Sequence, residues 1–316
     1  MHKLRNEGIF AALSSAVFLG FTPVFGKLAI NFGFSPLAVV AFRTSMAAGL
    51  VLLVVVLFYR SYLYIFPIGL LGCLLAGLIN GLGSILYYMA LTRLSASVGQ
   101  MLYSLYPFFV AIWLILDEQS LSRLSYFRIG LATLAVLLLT AVPSHKADLI
   151  GTIMMLGAAA LYALHLPINQ RVLYEVPAPT VTLYTLLAMS AVVVPAYLLF
   201  DHHWPSTTTP WWPVFGLTIV TSLSRLALFL GIKHIGGMQT ALLGLAELLI
   251  ALFFSYIWLH ENLLLTQWLG ALGLGISLLL VKFENPHIHT HSSKNGWFSW
   301  IRPPEIPLEI PWGPHE

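Results

Sequence analysis

Charge is scarce in this chain. Asp, Glu, Lys and Arg together make up 9% of its 316 residues, where a soluble domain carries about 25%, so no water-facing coat can cover a fold of this size. Cysteine is scarcer still. Cys73 stands alone, which excludes an intramolecular disulfide framework. The motifs HExxH and GxSxG and the glycine-rich phosphate loop do not occur, and no polar stretch is long enough for a soluble nucleotide-binding domain. These gaps disfavour a hydrolase and an ATP-driven pump. No cofactor is expected, and no enzymatic activity.

What the chain has instead is apolar length. Hydrophobic residues make up 59% of it, and the mean hydropathy is +0.87. Helices this apolar are greasy on every face, which requires a bilayer as solvent. We read an all-α polytopic membrane protein with ten spans, near residues 9–30, 37–58, 66–90, 95–116, 124–142, 150–171, 178–200, 211–232, 236–259 and 264–282. His2, Lys3 and Arg5 precede the first run as in a secretory signal. That run continues to about Ile30, too long for a signal's apolar region, so a retained helix is expected.

The cations orient the spans. Placing both termini in the cytoplasm puts Lys3, Arg5, Arg60, Arg123, Arg128, Arg171, Lys233, Lys282, Lys294 and Arg302 on that side, and only Arg93 and Lys146 outside. The remaining three, Lys27, Arg43 and Arg225, fall within spans.

The chain also repeats itself. The stretch Tyr87–Leu139 is a tight helical hairpin whose outgoing helix is closed by Asp117 and Glu118; the same shape returns later, with a short turn at Lys233 to Gly236 and a closing Glu261. An offset near 143 places Gly8 on Gly151, Pro36 on Pro179 and Glu118 on Glu261. Five spans per half is an odd number, so the halves are inverted repeats, and such repeats build transporters with a midplane site. The expected organisation is a cytoplasmic N-terminus at 1–8, a first repeat at 9–142, an external linker at 143–149, a second repeat at 150–283 and a disordered cytoplasmic tail at 284–316.

The hairpin YYMALTRLSASVGQMLYSLYPFFVAIWL, Glu118, the Gly130-containing fifth helix and the PLAVVAFR segment at Pro36 to Arg43 resemble the EamA-type transporters of the drug/metabolite transporter superfamily. The resemblance covers roughly residues 8 to 283. It implies a ten-helix carrier in the cell membrane, commonly an exporter of amino acids or other small metabolites. Its central cavity would be lined by the first, third, fourth, sixth, eighth and ninth helices. Where the family places proline in the second hairpin's outgoing helix, this chain has Glu247 and Leu248, which puts the local kink there in doubt.

Polar stripes name candidate residues. Asn80, Ser84 and Tyr87 recur at helical spacing on the third span, Gln100, Tyr103, Ser104 and Pro107 on the fourth, and Tyr162, His165 and Asn169 on the sixth. Lipid cannot satisfy such groups, so they face protein or a wet cavity; helix-to-helix adhesion is the plainer alternative. The glycines of the third and tenth spans read as packing seams. Arg225 and Glu247 are the deepest opposite charges. At 1.5 Å per residue they stand about 12 and 16 Å above one boundary on neighbouring helices, and they are expected to pair. The expected substrate site is therefore Arg225, Glu247, Tyr103, Gln100, Tyr87, Ser84, His165 and Asn80. Arg43, Lys27, Glu118 and Glu261 are expected to gate or brace it.

The partners implied are a small-molecule substrate and the lipid bilayer, with a proton as candidate coupling ion and a homodimer left open; no nucleic acid is expected. Rival classes are a membrane-embedded lipid-modifying enzyme, recruiting Glu247, His165, His202 and His203, and a non-transporting receptor or scaffold. His287, His289 and His291 alternate in the tail, too thin a set for a metal site.

Overall fold

A computed structural model describes residues 2–94, 96–117, 121–140, 148–201, 204–205, 209–250 and 265–283, and every regular element among them is helical. The elements are α1 (His2–Gly20), α2 (Thr22–Asn31), α3 (Pro36–Phe58), α4 (Pro67–Arg93), α5 (Ala96–Tyr103), α6 (Tyr106–Leu116), α7 (Arg123–Thr140), α8 (Leu149–Leu173), α9 (Ala178–Phe200), α10 (Trp212–Ile235), α11 (Gly237–Gly244) and α12 (Leu265–Leu279). The chain is helical from His2, so the first helix begins well before the expected residue 9.

Among the described residues, seven helical segments are long and apolar enough to cross a membrane: Leu4–Asn31, Pro36–Phe58, Pro67–Arg93, Val98–Leu116, Leu149–Leu173, Ala178–Phe200 and Trp212–Ile235. Among the described residues, the other three expected spans are represented by shorter helices or by one that carries charge near its start. α7 carries Arg123 and Arg128 in its first two turns. Gly237–Ile250 is the described beginning of the ninth, and Trp268–Leu279 is a short apolar stretch within the tenth.

Local signals place the helix ends. Ser35 accepts the amide hydrogen of Ala38 at 3.1 Å ahead of Pro36, which opens α3. Asp148 does the same for Ile150 at 3.0 Å at the start of α8. Gly236 takes φ 82, the left-handed turn that lets α10 double back into α11.

α4 shows how a membrane helix is patterned. Leu71, Leu74, Leu78 and Leu82 form an exposed stripe facing outward, where lipid would lie, whereas Ala76, Asn80, Ser84 and Tyr87 are buried against other helices. Gly77 lies so close to α9 that an added Cβ would be 2.6 Å from the Thr185 carbonyl oxygen, as a packing seam requires.

The two halves pack by exchange. α1 packs on α10 and α4 on α8; α3 packs on α9 and α7 on α12. Each pairing survives when the halves are swapped. The detail repeats as well: a Cβ on Gly8 would lie 2.7 Å from that of His234, and one on Gly151 would lie 3.0 Å from that of Arg93, at the ends of the corresponding helices.

Beside two small clusters around Leu243 and Leu186, two large apolar cores result. One fills the end of the bundle where α1 begins (the near end) and includes Val110, Leu114, Leu173 and Val181. The other fills the far end and includes Phe34, Leu91, Tyr197 and Val214.

Two cations counted as surface charges are buried. Arg171 is 3% exposed and donates to Asp117 at 2.6 Å in an ion pair joining α8 to the end of α6. Arg128 is fully buried, donating to the Ser277 carbonyl at 2.9 Å and to Gln239. Their nearness to the helix ends is as expected, but neighbouring polar groups draw them inward. Glu118, Glu261, Lys146, His202, His203 and the whole tail lie outside the described residues.

Candidate functional site

The two cores meet at a belt of tyrosines. Tyr106 and Tyr162 belong to the near core, Tyr87 and Tyr88 to the far one, and Tyr103 packs against both. A cavity of about 50 Å³ lies there, lined by Tyr87, Tyr88, Tyr103, Tyr106 and Tyr162 with Arg43, Ser84, Gln100, Arg225 and Glu247, and bounded by Leu19 and Thr22. It has room for a few waters.

Broken helices create it. The first span is interrupted at Phe21, between α1 and α2, by Pro23, which lacks the amide hydrogen that Leu19 would accept. The fourth is interrupted at Ser104 and Leu105 by Pro107 in the same way, leaving the turn held by a Phe108-to-Leu105 bond at 3.0 Å. The ninth is interrupted at Leu245 without any proline. Here the Tyr106 hydroxyl donates to the Ala241 carbonyl at 2.8 Å, taking the acceptor that the Leu245 amide would use in an unbroken helix. Gly244 lets it in: a Cβ there would sit 2.1 Å from that hydroxyl oxygen. The kink expected of a proline is therefore present, made by a tyrosine from the other half. Ser104 and Leu245 lie 141 residues apart, within two residues of the repeat offset, so the two breaks fall at closely matching places in the halves. Gln100, Tyr103, Tyr106 and Glu247 all flank these two breaks.

Arg43, on α3, donates to Thr221 Oγ1 at 3.0 Å and to Ser84 Oγ at 3.4 Å, with its guanidinium 5.0 Å from the Tyr88 ring centre. Arg225, on α10, lies 5.6 Å from the Tyr162 ring centre. With the Asn80 amide turned so that its oxygen faces the guanidinium, that oxygen accepts from Arg225 Nη1 at 3.1 Å and Nη2 at 2.7 Å. Arg225 Nη1 also donates to His165 Nε2 at 3.1 Å. An arginine only donates, so Nε2 accepts, and the proton of a neutral ring is on Nδ1, directed at the Tyr162 carbonyl. His165 is thus neutral, and carries no countercharge.

Glu247 does not pair with Arg225. Its carboxylate lies beside the side chain of Gln100, whose Oε1 accepts from the Tyr87 hydroxyl at 3.2 Å. The carboxylate's own Oε1 is buried without a hydrogen-bond partner. The depth estimate placed both charges at the cavity, but the break at Leu245 shifts the phase of the ninth helix, so height along the axis did not fix the direction in which Glu247 points.

Of the residues named from sequence, Arg225, Glu247, Tyr103, Gln100, Tyr87 and Ser84 line the cavity, and so does Arg43. Asn80 and His165 stand behind Arg225 and hold it. Asn169 bonds the His165 carbonyl at 2.9 Å and tethers helices. Lys27 donates to the Leu91 carbonyl at 3.0 Å near the far end of α4. The sequence reading missed Tyr88, Tyr106, Leu19 and Thr22 as lining residues. Leu19 and Thr22 flank the break that Pro23 makes, and Tyr106 directly precedes Pro107, so prolines inside apolar runs were the available signal.

A helical bundle with lipid-facing leucines and a polar cavity enclosed at its helix breaks is a polytopic membrane protein. The comparisons identify which: the chain matches the EamA-like transporter family over residues 6–141 and again over 149–283, and it belongs to that family. A curated relative, the uncharacterized transporter YcbK of Bacillus subtilis (strain 168), is 25% identical over 203 residues, 61% of this chain. The chain spans 65% of that relative's length. A solved crystal structure of a protein, 15% identical, superposes with a TM-score of 0.65 over 85% of this chain and 97% of its own. At that identity the likeness speaks for the fold alone.

Proposed function

We propose that this protein is a secondary transporter that exports small polar metabolites such as amino acids by alternating access. In this reading it has ten spans arranged as two inverted five-helix repeats, and both termini are in the cytoplasm of a cell-membrane carrier. The observation that carries it is the charged cavity between two helix breaks at corresponding positions of the halves. Discontinuous helices at matching positions are where such carriers hold their cargo. At about 50 Å³ the cavity is far smaller than the roughly 300 Å³ of a small-molecule site. Apolar cores flank it on both sides, and in this reading cargo is admitted when one core parts. The exchange packing supports two nearly equivalent ways of parting, one towards each side.

An efflux screen tests this. Cells overproducing the chain, challenged with inhibitory amino acids and other polar metabolites, are expected to be rescued by at least one, with matching flux in proteoliposomes. Absence of flux for the whole panel, from protein that is folded and inserted, would return the reading to a receptor or scaffold. Topology has its own test. In a Cys73→Ser background, an impermeant thiol reagent added to intact cells should label Asn31→Cys at the far end and spare Ser61→Cys at the near end; the reverse pattern inverts the carrier.

A further inference from the structure

The charges around the cavity do not balance. Arg43 and Arg225 are each 6% exposed, and among the described residues no carboxylate comes within ion-pair distance of either. Their hydrogen-bond partners, Thr221, Ser84, Asn80 and His165, are all neutral. Neutral acceptors satisfy N–H groups but leave the charge uncompensated in a low-dielectric site, where an isolated ion is expensive. The two guanidiniums are also neighbours. Ser84 and Asn80, which hold them, lie one turn apart on α4, about 5–6 Å between Cβ atoms.

The cavity's acid is Glu247, offered from the ninth span's break. Three polar atoms on lining residues are buried with nothing to bond: Arg43 Nε, the Tyr88 hydroxyl and Glu247 Oε1. Buried polar atoms are seldom left unpaired, so these call for a ligand that offers both acceptors and a donor.

Charge complementarity narrows that ligand. A zwitterion with one carboxylate leaves one guanidinium uncompensated, and a dicarboxylate without an amine leaves the Glu247 carboxylate unopposed. A small molecule with two carboxylates two or three carbons apart and one ammonium neutralises all three side chains. Resting on the transport reading above, we infer that the substrate class is the acidic amino acids, with the two carboxylates on Arg43 and Arg225 and the ammonium on Glu247.

The test is counterflow in proteoliposomes of the full chain with three probes of matched length: glutamate, glutamine and glutarate. Wild type is expected to exchange labelled glutamate, with glutamine and glutarate each competing roughly tenfold or more weakly, as expected when a buried charge loses its partner. Arg43→Gln should move the preference towards glutamine, and Glu247→Gln should move it towards glutarate. Circular dichroism and size-exclusion profiles confirm that each variant is folded. If glutamine or glutarate competes as well as glutamate on wild type, the inference is overturned while transport stands. If the variants lose all flux and wild type still shows the ranking, glutamate binding to each variant by scintillation proximity decides. Unchanged affinity in either variant overturns the inference, and loss in both supports it. If none of the probes moves, the inference is overturned, and the transport reading rests on the efflux screen alone.

Discussion

Arg171 and Arg225 are equally deep in protein and differently treated. Arg171 meets the Asp117 carboxylate at 2.6 Å, inside the near end of the bundle. Arg225, at the tyrosine belt, meets an amide, an imidazole and an aromatic face. A buried guanidinium with an acid beside it is part of the scaffold, since the pair's charge is settled within the protein. One surrounded by neutral acceptors is pre-oriented and left charged, which suits a ligand that comes and goes.

That contrast breaks first at Asp117. Asp117→Asn leaves the Arg171 guanidinium without its acid, and removing one partner of a buried pair costs about 3–5 kcal/mol. Thermal unfolding in detergent should show a large loss of stability and low membrane abundance. Replacing both residues, Asp117→Asn with Arg171→Met, should recover much of it. An abundant single variant with unchanged melting would make this pair as dispensable as a surface bridge.

Arg225→Gln should behave in the opposite way. No acid is orphaned by the change, so abundance and melting temperature should hold or rise, while vesicle uptake of the cargo found by the efflux screen falls by about a hundredfold, equivalent to about 2.7 kcal/mol. A variant that unfolds would move Arg225 into the scaffold class. One that is stable and fully active would remove it from the site.

Tyr106→Phe sharpens the comparison from the backbone side. Losing the hydroxyl frees the Ala241 carbonyl, and one unsatisfied buried acceptor costs about 1–3 kcal/mol. The ninth helix should straighten towards an unbroken ladder, read as added hydrogen-exchange protection at Leu245. Unchanged exchange there would mean that the break has another cause.

The smallest effect belongs to the exposed pair. Arg93 donates to Asp148 at 2.8 Å, with side chains 45% and 33% exposed. The hydrogen bond from Arg93 holds the Asp148 carboxyl below its ordinary 3.8. A lowered folded value means that the pair's contribution is fully present above about pH 4 and is lost as pH falls through the lowered value. That contribution is small because solvent screens an exposed pair, so Arg93→Gln should leave melting nearly unchanged at neutral pH. A clear drop would put this surface bridge alongside Asp117 and Arg171.

These pairs also show what was legible in the sequence. The hairpins and the stripe of Asn80, Ser84 and Tyr87 follow from periodicity, which any helix transmits. The breaks at Phe21 and at Ser104 and Leu105 carry prolines that announce them. The break at Leu245 does not, because its cause is Tyr106, some 140 residues earlier and in contact only after folding. The expected Arg225–Glu247 pair failed for the same reason: a rise per residue gives depth, but azimuth is lost once the ladder is interrupted. Arg171 is buried because Asp117, which closes its own helix, stands within ion-pair reach, a contact between helices that periodicity along one helix does not announce.

The two guanidiniums and one carboxylate around the cavity also determine how voltage acts on the carrier. With Glu247 ionised, the empty cavity bears one net positive charge between the two apolar plugs. Moving one elementary charge through a membrane potential is worth about 2.3 kcal/mol per 100 mV. A cargo of net charge −1 cancels that charge, so the loaded carrier crosses without doing electrical work. The unloaded carrier does not. With the near end cytoplasmic, as proposed, an interior-negative potential draws it back towards that side, which favours the proposed export of a cargo of net charge −1.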